Sequence, residues 1–255
     1  MIPKRIFYVW GYNEPKSRLA DICIENWRDK LPDFEIIEIN EKTPQWFDFD
    51  SEYKNNLWFK TVYDLKMWAY VSDYMRVKTV YNHGGIYFDT DVTVYKDFTP
   101  LLEKDFFVGQ SFSNIPDPSV FGAIKHHIVL EKMLEFYDND IFKSPNYVIT
   151  HILKNALQQI NPKTLFDKTN TVEFNNIVIY PQDYFQPFYY IEQFDRSCIT
   201  KNTFTVHWQT NSWMSKKNLY FLSNKHRIPL KTLLKQLEFI EKIDTKANKK
   251  VEVTK

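Results

Sequence analysis

Two aspartates separated by one residue, Asp89 and Asp91, follow the apolar run IYF in the stretch NHGGIYFDTDVTVY. The run predicts a buried strand, and residues two apart in a strand point to the same side, so both carboxylates can face one cation. Hard divalent cations such as Mg²⁺ and Mn²⁺ prefer carboxylate oxygens, and they often bind through one or two carboxylates together with substrate phosphates. The pair predicts a metal and phosphate site, with the polar edge of an ordinary strand as the alternative.

Two other Asp-x-Asp triplets serve as internal comparisons. Asp48 and Asp50 lie in a polar aromatic loop, and Asp138 and Asp140 follow a predicted helix. Neither triplet ends an apolar strand run, so we interpret both as turn residues rather than as sites. Context, and not the triplet itself, selects Asp89 and Asp91.

The segment before the aspartates carries a second chemical pair. The apolar spacing predicts one helix over 61–83, ended by Gly84 in the left-handed conformation. Asp73 and Arg76 are three residues apart and share a face of this helix, which the Gly-Gly turn folds back toward the aspartates. An acid that accepts from hydroxyls and a guanidinium that binds hydroxyls or phosphate would then face one cleft. A surface ion pair is the alternative.

The elements that position these residues follow an α/β pattern. RIFYVW (5–10) predicts a strand, Ser17 caps a predicted helix, and EIIEI (35–39) predicts a second strand, which together make a βαβ unit. Open α/β sheets place ligands at the carboxyl ends of their strands. Further elements are predicted as strands at 105–110, 171–181 and 203–208 and as helices at about 127–137 and 147–159.

Composition narrows the class of protein. The 255 residues are 44% hydrophobic and 25% charged, which is typical of a globular chain. The net charge of +1 argues against a nucleic-acid footprint, so no nucleic acid is expected as a partner. Aromatic residues make up 17%, and rings exposed in a cleft suit sugars and nucleobases.

Positive charge is concentrated late in the sequence. Residues 214–255 carry 11 Lys and Arg against four Asp and Glu, and PLKTLLKQLEFIEKI within them predicts an amphipathic helix. That helix either closes the core or lies on an anionic membrane surface. The N-terminal MIPKRIFYVW has no targeting pattern, and no window approaches 18 apolar residues. We therefore expect a cytoplasmic protein, with peripheral contact at the inner face of the plasma membrane as the alternative role of the tail.

The ordered run Ser72-Asp73-x-x-Arg76, Gly84-Gly85, Asp89-x-Asp91 resembles the signature of glycosyltransferase family 32. This family includes bacterial capsular and lipopolysaccharide synthesis enzymes and is related to the glucosylating domains of large toxins. The resemblance extends over residues 2–213 through IPKRIFYVW, LPDFEIIEINE, YPQDYFQPF and HWQTNSW. It implies a GT-A fold, with a Rossmann-like mixed β-sheet flanked by helices in a domain of residues 1–218. A basic amphipathic helical tail, 219–255, would extend it, packed on the domain or on a membrane.

The resemblance also implies retaining transfer of a hexose from a nucleotide-diphosphate sugar to a glycan acceptor, with Mn²⁺ or Mg²⁺ as cofactor. UDP-galactose or another UDP-hexose is the expected donor, GDP-mannose the alternative, and the acceptor would be a surface polysaccharide, lipid-linked if the tail binds membrane. The implied roles follow position by position. Trp10 would stack on the base, and Asn40 would lie near the nucleotide. Asp73 and Arg76 would contact the donor sugar, and Arg76 with the metal would also stabilise the charge of the departing diphosphate. Asp89 would contact the ribose and, through water, the metal, while Asp91 would ligate the metal directly; Asp89, Asp91 and Arg76 are thus the expected catalytic residues. His207, Ser212 and Trp213 would belong to a loop that closes over the diphosphate, and His207 is also a metal-ligand candidate.

The sequence departs from the family pattern in two places, and it also allows two other classes of protein. After Trp10 the sequence reads GYNEP where members often have a Gly-rich turn, and HWQTNSW varies between its His, Ser and Trp. IYFDTDVT also matches haloacid-dehalogenase-type phosphatases, whose first Asp is a nucleophile, but no later strand ends in paired acids. A non-catalytic sugar-binding module would explain the aromatic content without explaining the aligned carboxylates.

Overall fold

A computed structural model of the chain describes residues 1–10, 15–189, 191–209 and 216–238. Seven of the strands formed by these residues make one mixed sheet, in the order β2-β1-β3-β6-β5-β8-β7, and β4 pairs with β9 in a second, two-stranded sheet. The strands are β1 Arg5–Val9, β2 Glu35–Ile39, β3 Gly85–Phe88, β4 Val92–Val94, β5 Phe106–Gln110, β6 Pro116–Ala123, β7 Val172–Phe174, β8 Ile177–Tyr180 and β9 Thr205–His207.

Helices cover both faces of the larger sheet. They are α1 Arg18–Lys30, α2 Phe49–Asn55, α3 Leu57–Asp64, α4 Trp68–His83, α5 Ile128–Asn139, α6 Ile149–Ile160, α7 Lys216–Asn224 and α8 over 230–238. Within the described residues, no helix combines the length and the apolar character needed to cross a membrane.

The predicted βαβ unit is confirmed. β1 pairs in parallel with both β2 and β3, and the Ser17 hydroxyl accepts the Ala20 backbone N–H at 3.1 Å to cap α1. β6 runs antiparallel to β3 and to β5, which makes the sheet mixed, as expected. After Arg5 the strand β1 is apolar and buried, because both faces of the sheet are covered.

Alternate residues of the strands point to opposite faces of the larger sheet and pack into two separate hydrophobic cores. Phe7 and Val9 join the larger core with residues of α3 to α8, whereas Ile6 and Tyr8 join a smaller core with α1. Trp27 of α1 lies in the smaller core and donates from its indole N–H to the Val92 carbonyl at 2.6 Å. This bond joins α1 to the two-stranded sheet.

The expected single helix over 61–83 is wrong. The chain forms α3 and α4 with a break at Leu65 to Met67, where Lys66 takes φ 56°. A lysine at positive φ cannot be recognised from the sequence, unlike a Gly or an Asn. The apolar spacing therefore continues across the break and predicts one helix. Gly84 does end α4, but with φ 64° and ψ 161° rather than the left-handed helical conformation expected.

The expected strand at 171–181 is a hairpin. β7 and β8 are antiparallel, and the two residues between them, Asn175 and Asn176, have φ 48° and 61°. Positive φ at both central residues is typical of the tight turns that match strand twist, and Asn tolerates it. The two consecutive asparagines are the feature of the sequence that indicates this turn.

The basic tail contributes to the larger core as far as the structure describes it. Phe221, Leu222, Leu233 and Leu237 are at most 1% exposed, and the Tyr220 hydroxyl of α7 donates to Gln236 of α8 at 3.0 Å. The proposed boundary after residue 218 falls within α7 and stays a prediction, as does the tail as a separate unit; residues 239–255 lie outside the described residues.

We predict that Leu233→Ala lowers the free energy of unfolding by about 3 kcal/mol, because it leaves a cavity in the core. Lys235→Ala, on the exposed side of the same helix, should change it little. Urea denaturation followed by circular dichroism measures both. Equal, small effects of the two changes would mean that α8 does not pack stably on the domain.

Candidate active site

Asp89 and Asp91 lie at the junction of the two sheets. β3 ends at Phe88, and the chain turns at 89–91 before β4 leaves to pair with β9. The expectation that both carboxylates share the face of one strand is therefore wrong in its geometry. They converge because the chain turns between two sheets, not because of strand periodicity.

His207 completes a group with these aspartates. It pairs with Val92 across the small sheet, and its Nε2 lies 3.1 Å from Asp91 Oδ1 and 4.0 Å from Asp89 Oδ2. One ligand atom from each of the three side chains lies within 4.8 Å of the others. Burial alone would lower the pKa of His207, but Asp91 and Asp89 beside it raise that pKa to about 9. The two carboxylates therefore favour a protonated His207 as long as no other cation lies between them.

Arg76 is buried between two carboxylates. Its Nη1 lies 3.0 Å from Asp89 Oδ1 and its Nη2 lies 3.2 Å from Asp73 Oδ1, with the Tyr87 ring 4.3 Å from the guanidinium carbon. Burial would lower the pKa of Arg76, but Asp89, Tyr87 and Asp73 raise it above its usual value. Arg76 therefore joins α4 to the end of β3.

The remaining N–H groups of Arg76 also have acceptors. Nη1 donates to the Pro118 carbonyl at 3.2 Å, and Nη2 and Nε donate to the hydroxyl and carbonyl of Ser72 at 3.3 and 3.4 Å. The two bonds to Ser72 are the longest of the set. A substrate oxygen that approached this guanidinium would displace those bonds at the lowest cost.

Tyr87 extends the same network. Its hydroxyl donates to Asp89 Oδ1 at 3.1 Å and lies 3.2 Å from the Ser72 hydroxyl. Burial raises the pKa of Asp73 to about 7 and also raises the pKa of Asp89, with Arg76 opposing both shifts. Because burial disfavours the charged form of both carboxylates, a further cation placed beside them would stabilise that charged form.

Sequence reasoning missed the β6 residues that support the site. The Ser119 carbonyl accepts the Asp89 backbone N–H at 2.8 Å, and Asp117 Oδ1 accepts the Ser119 N–H at 2.9 Å. The register between β5 and β6 shifts between Val108 and Gly109, opposite this segment. Bulges occur often beside active sites, and two prolines within IPDPSV were the signal that could have located this one.

Gln186 was also missed. Its side chain is 3% exposed, and its Nε2 lies 3.2 Å from the Ser119 hydroxyl and 3.4 Å from His207 Nδ1. It lies within YPQDYFQPF, after a short 3-10 helix at Gln182–Tyr184. No local pattern in the sequence pairs it with a histidine 21 residues later.

The two residues expected near the nucleotide lie at the same edge of the sheet as Asp89. Trp10 follows β1 and Asn40 follows β2, and the Trp10 backbone N–H donates to the Ile39 carbonyl at 3.1 Å. The Asn40 side chain donates to Glu38 and accepts the Lys42 N–H, both at 2.8 Å. Ser212 and Trp213 lie outside the described residues, and the roles of all four stay predictions.

The other two Asp-x-Asp triplets have structural contacts. Asp48 caps α2 by accepting the Ser51 N–H at 3.1 Å, and Asp138 accepts from the Asn56 amide at 2.6 Å. Asp140 is the C-cap of α5. Asp50 lies within α2 and Asp138 within α5, so the expected turn positions are wrong for these two, whereas Asp48 and Asp140 stand at helix ends.

Comparisons with known proteins agree with this geometry. Residues 18–108 match the family model described as a glycosyltransferase sugar-binding region containing a DXD motif. The structure is similar to the PaToxG glycosyltransferase, with 18% identity and a TM-score of 0.51 over 63% of this chain and 70% of that one. It is also similar to apo GlyE of Streptococcus pneumoniae TIGR4, with 12% identity and a TM-score of 0.47 over 95% of this chain and 64% of that one.

The fold is therefore that of a GT-A-type glycosyltransferase. The chain is a glycosyltransferase with a DXD sugar-binding region, and the phosphatase and binding-module alternatives are set aside. Of the two Asp-x-Asp triplets in the matched stretch, Asp89 with Asp91 is the one grouped with a histidine. Membership of family 32 as such stays a prediction.

The donor set fits a divalent cation, which glycosyltransferases of the DXD type generally use. Two carboxylates and an imidazole offer two oxygens and one nitrogen within a short distance of one another. Oxygen ligands suit Mg²⁺ and Mn²⁺, and three protein ligands leave positions for phosphate oxygens and water.

Replacing Arg76 with Met should lower the free energy of unfolding by about 3 kcal/mol, because it leaves the buried Asp73 and the half-buried Asp89 without the cation they share. Arg196→Met, at an exposed position, is the matched control and should be nearly neutral. Adding Asp73→Asn to Arg76→Met should recover part of the loss. Chemical denaturation at pH 7.5 tests all three, and an unchanged midpoint for Arg76→Met would contradict the central role of this ion pair.

Proposed function

We propose that this glycosyltransferase moves a hexose, with retention, from a nucleotide-diphosphate sugar to a glycan acceptor, and that the transfer depends on a divalent metal. The observation that carries the proposal is the grouping of Asp89, Asp91 and His207 at the sheet edge, beside the buried Arg76. UDP-galactose or another UDP-hexose is the proposed donor, with GDP-mannose as the alternative. Discrimination between hydroxyl epimers rests on one or two hydrogen bonds, which the side chains alone do not specify.

Asp91 and His207 would hold the cation directly, and Asp89 through water. A bound divalent cation neutralises charge that develops on the departing diphosphate. A nitrogen ligand in the set favours Mn²⁺ over Mg²⁺, because Mg²⁺ prefers oxygen ligands throughout.

Asp73 and Arg76 would bind the donor sugar. The Asp73 side chain is 12% exposed and accepts from Arg76 through one oxygen, so a sugar hydroxyl can donate to the carboxylate. The Arg76 bonds to Ser72 are the ones that a hydroxyl or phosphate oxygen would replace. Because Asp89 and Asp73 already fix the guanidinium, little reorganisation is needed during the reaction.

Retention would proceed by front-face substitution, in which the departing phosphate assists removal of the acceptor proton. Among the described residues, Asp117 is a further carboxylate close enough to raise the pKa of Asp73, Asp89 and His207. It already accepts the Ser119 N–H. A glycosyl-enzyme adduct trapped on Asp117 would contradict front-face substitution and indicate double displacement.

The proposed setting is surface polysaccharide synthesis, of the capsular or lipopolysaccharide type, in the bacterial cytoplasm. Leu233 and Leu237 of α8 are buried in the core, whereas Lys231 and Lys235 are exposed. Contact of this helix with a membrane that carries a lipid-linked acceptor would therefore be electrostatic. Sedimentation with anionic vesicles should decrease from 50 to about 300 mM salt, because screening weakens surface attraction; salt-independent binding, or none, would remove the membrane part of the proposal.

The first test is hydrolysis of UDP- and GDP-sugars with Mn²⁺ and with a chelator. We expect metal-dependent release of nucleotide from one donor, and a fall of at least about 100-fold for Asp91→Asn, since loss of a metal ligand removes several kcal/mol of transition-state stabilisation. Chromatographic detection of the nucleotide measures the rate for each donor.

Asp50→Asn is the matched control, because Asp50 belongs to an exposed Asp-x-Asp triplet in α2. It should hydrolyse the donor at the wild-type rate. Release that persists with the chelator, or that Asp91→Asn leaves intact, would rule out the proposed metal dependence.

A further inference from the structure

The amide of Gln186 lies in a buried position between Ser119 and His207. Its Nε2 donates to the Ser119 hydroxyl at 3.2 Å and lies 3.4 Å from His207 Nδ1, so this structure has the amide nitrogen toward the ring. The backbone of Gln186 is fixed as well, since its N–H donates to the Gln182 carbonyl and its carbonyl accepts from the Gln182 amide, both at 2.9 Å. The side chain therefore has little freedom to leave His207.

His207 can hold a cation through Nε2 only if the lone pair of that nitrogen is free. The ring proton must then be on Nδ1, and an Nδ1–H in a side chain that is only 13% exposed needs an acceptor within the protein. Among the described residues, Gln186 supplies the side-chain group within hydrogen-bonding distance of Nδ1. Its amide can present either its nitrogen or its oxygen to the ring after a half-turn about its terminal bond.

The two orientations have opposite consequences. With the nitrogen toward the ring, the amide donates to Nδ1, the ring proton is on Nε2, and Nε2–H faces Asp91. With the oxygen toward the ring, the amide accepts from Nδ1–H and from the Ser119 hydroxyl, and Nε2 is free to bind a cation. Ser119 can serve both orientations because a hydroxyl both donates and accepts.

We propose that Gln186 is a positioning residue of the metal centre, and that its amide oxygen fixes the His207 ring with Nε2 directed at the cation. This rests on the proposed function, because it assumes that Asp89, Asp91 and His207 bind a divalent metal. Ser119 connects the ligands, since its hydroxyl contacts Gln186 and its carbonyl accepts the Asp89 N–H. Hydrogen bonds of this kind orient histidine ligands in metal sites generally.

The test is the affinity for Mn²⁺ itself, measured without a donor by electron paramagnetic resonance and titration calorimetry. Gln186→Met removes the acceptor at nearly constant volume and should weaken Mn²⁺ binding by about 10- to 100-fold. Gln186→Glu keeps an acceptor for Nδ1–H and should bind Mn²⁺ at least as tightly as wild type. Gln110→Met is the matched control, because Gln110 is equally buried but bonds to the Asp167 carbonyl.

A second set of variants separates positioning from a general structural effect. In a His207→Ala background, adding Gln186→Met should cause no further loss of Mn²⁺ affinity, since the residue it positions is gone. If Gln186→Met does not fold, Ser119→Ala replaces it and should weaken binding by a smaller factor.

The outcomes distinguish this inference from the proposed function. Wild-type Mn²⁺ affinity in Gln186→Met, or an equal loss with and without His207, would overturn the role of Gln186 and leave the metal centre standing. A wild-type protein that does not bind Mn²⁺ would overturn both.

Discussion

The buried guanidinium of Arg76 is the constraint on which the site depends. Removing a charge from water costs several kcal/mol, and a buried ion pair is stable only where its remaining hydrogen bonds are made. Here two carboxylates, two carbonyls and a hydroxyl accept from Arg76, and they come from α4, β6 and the end of β3. The three elements must therefore hold one arrangement. That arrangement fixes the position of Asp89, and with it the distance from Asp89 to Asp91 and His207.

Much of the fold follows from local sequence. The continuous apolar run of β1, the Ser17 cap and the apolar face of α1 each favour the βαβ unit that forms. Asp73 and Arg76 share a helix face, and Asp89 follows a strand in the parallel part of the sheet, so the sequence places all three at one edge. These inferences succeed because each depends on residues within a few positions of one another.

The features that sequence reasoning missed depend on distant partners or on rare backbone conformations. Ser119 and Gln186 reach the site because β6 lies beside β3 and because β9, which carries His207, pairs with β4 outside the larger sheet; neither pairing has a local signal. Lys66 breaks a helix at positive φ without Gly or Asn. The convergence of Asp89 and Asp91 was expected for the wrong reason, since strand periodicity cannot describe a turn between two sheets.

Lys225 of the C-terminal segment supplies hydrogen bonds that an earlier part of the chain needs in order to fold. This side chain, 3% exposed, donates to the carbonyls of Ile141, Ser144 and Asn146, and its neighbour Phe221 stacks on Trp58 in the larger core. The turn after α5 thus obtains its hydrogen bonds from a segment made about 80 residues later. During synthesis, the site residues leave the ribosome before the helices that close the core behind them. A nascent chain that ends before α7 would leave aromatic rings of that core, Trp58 among them, uncovered, and exposed apolar surface of this kind makes incomplete chains prone to aggregation.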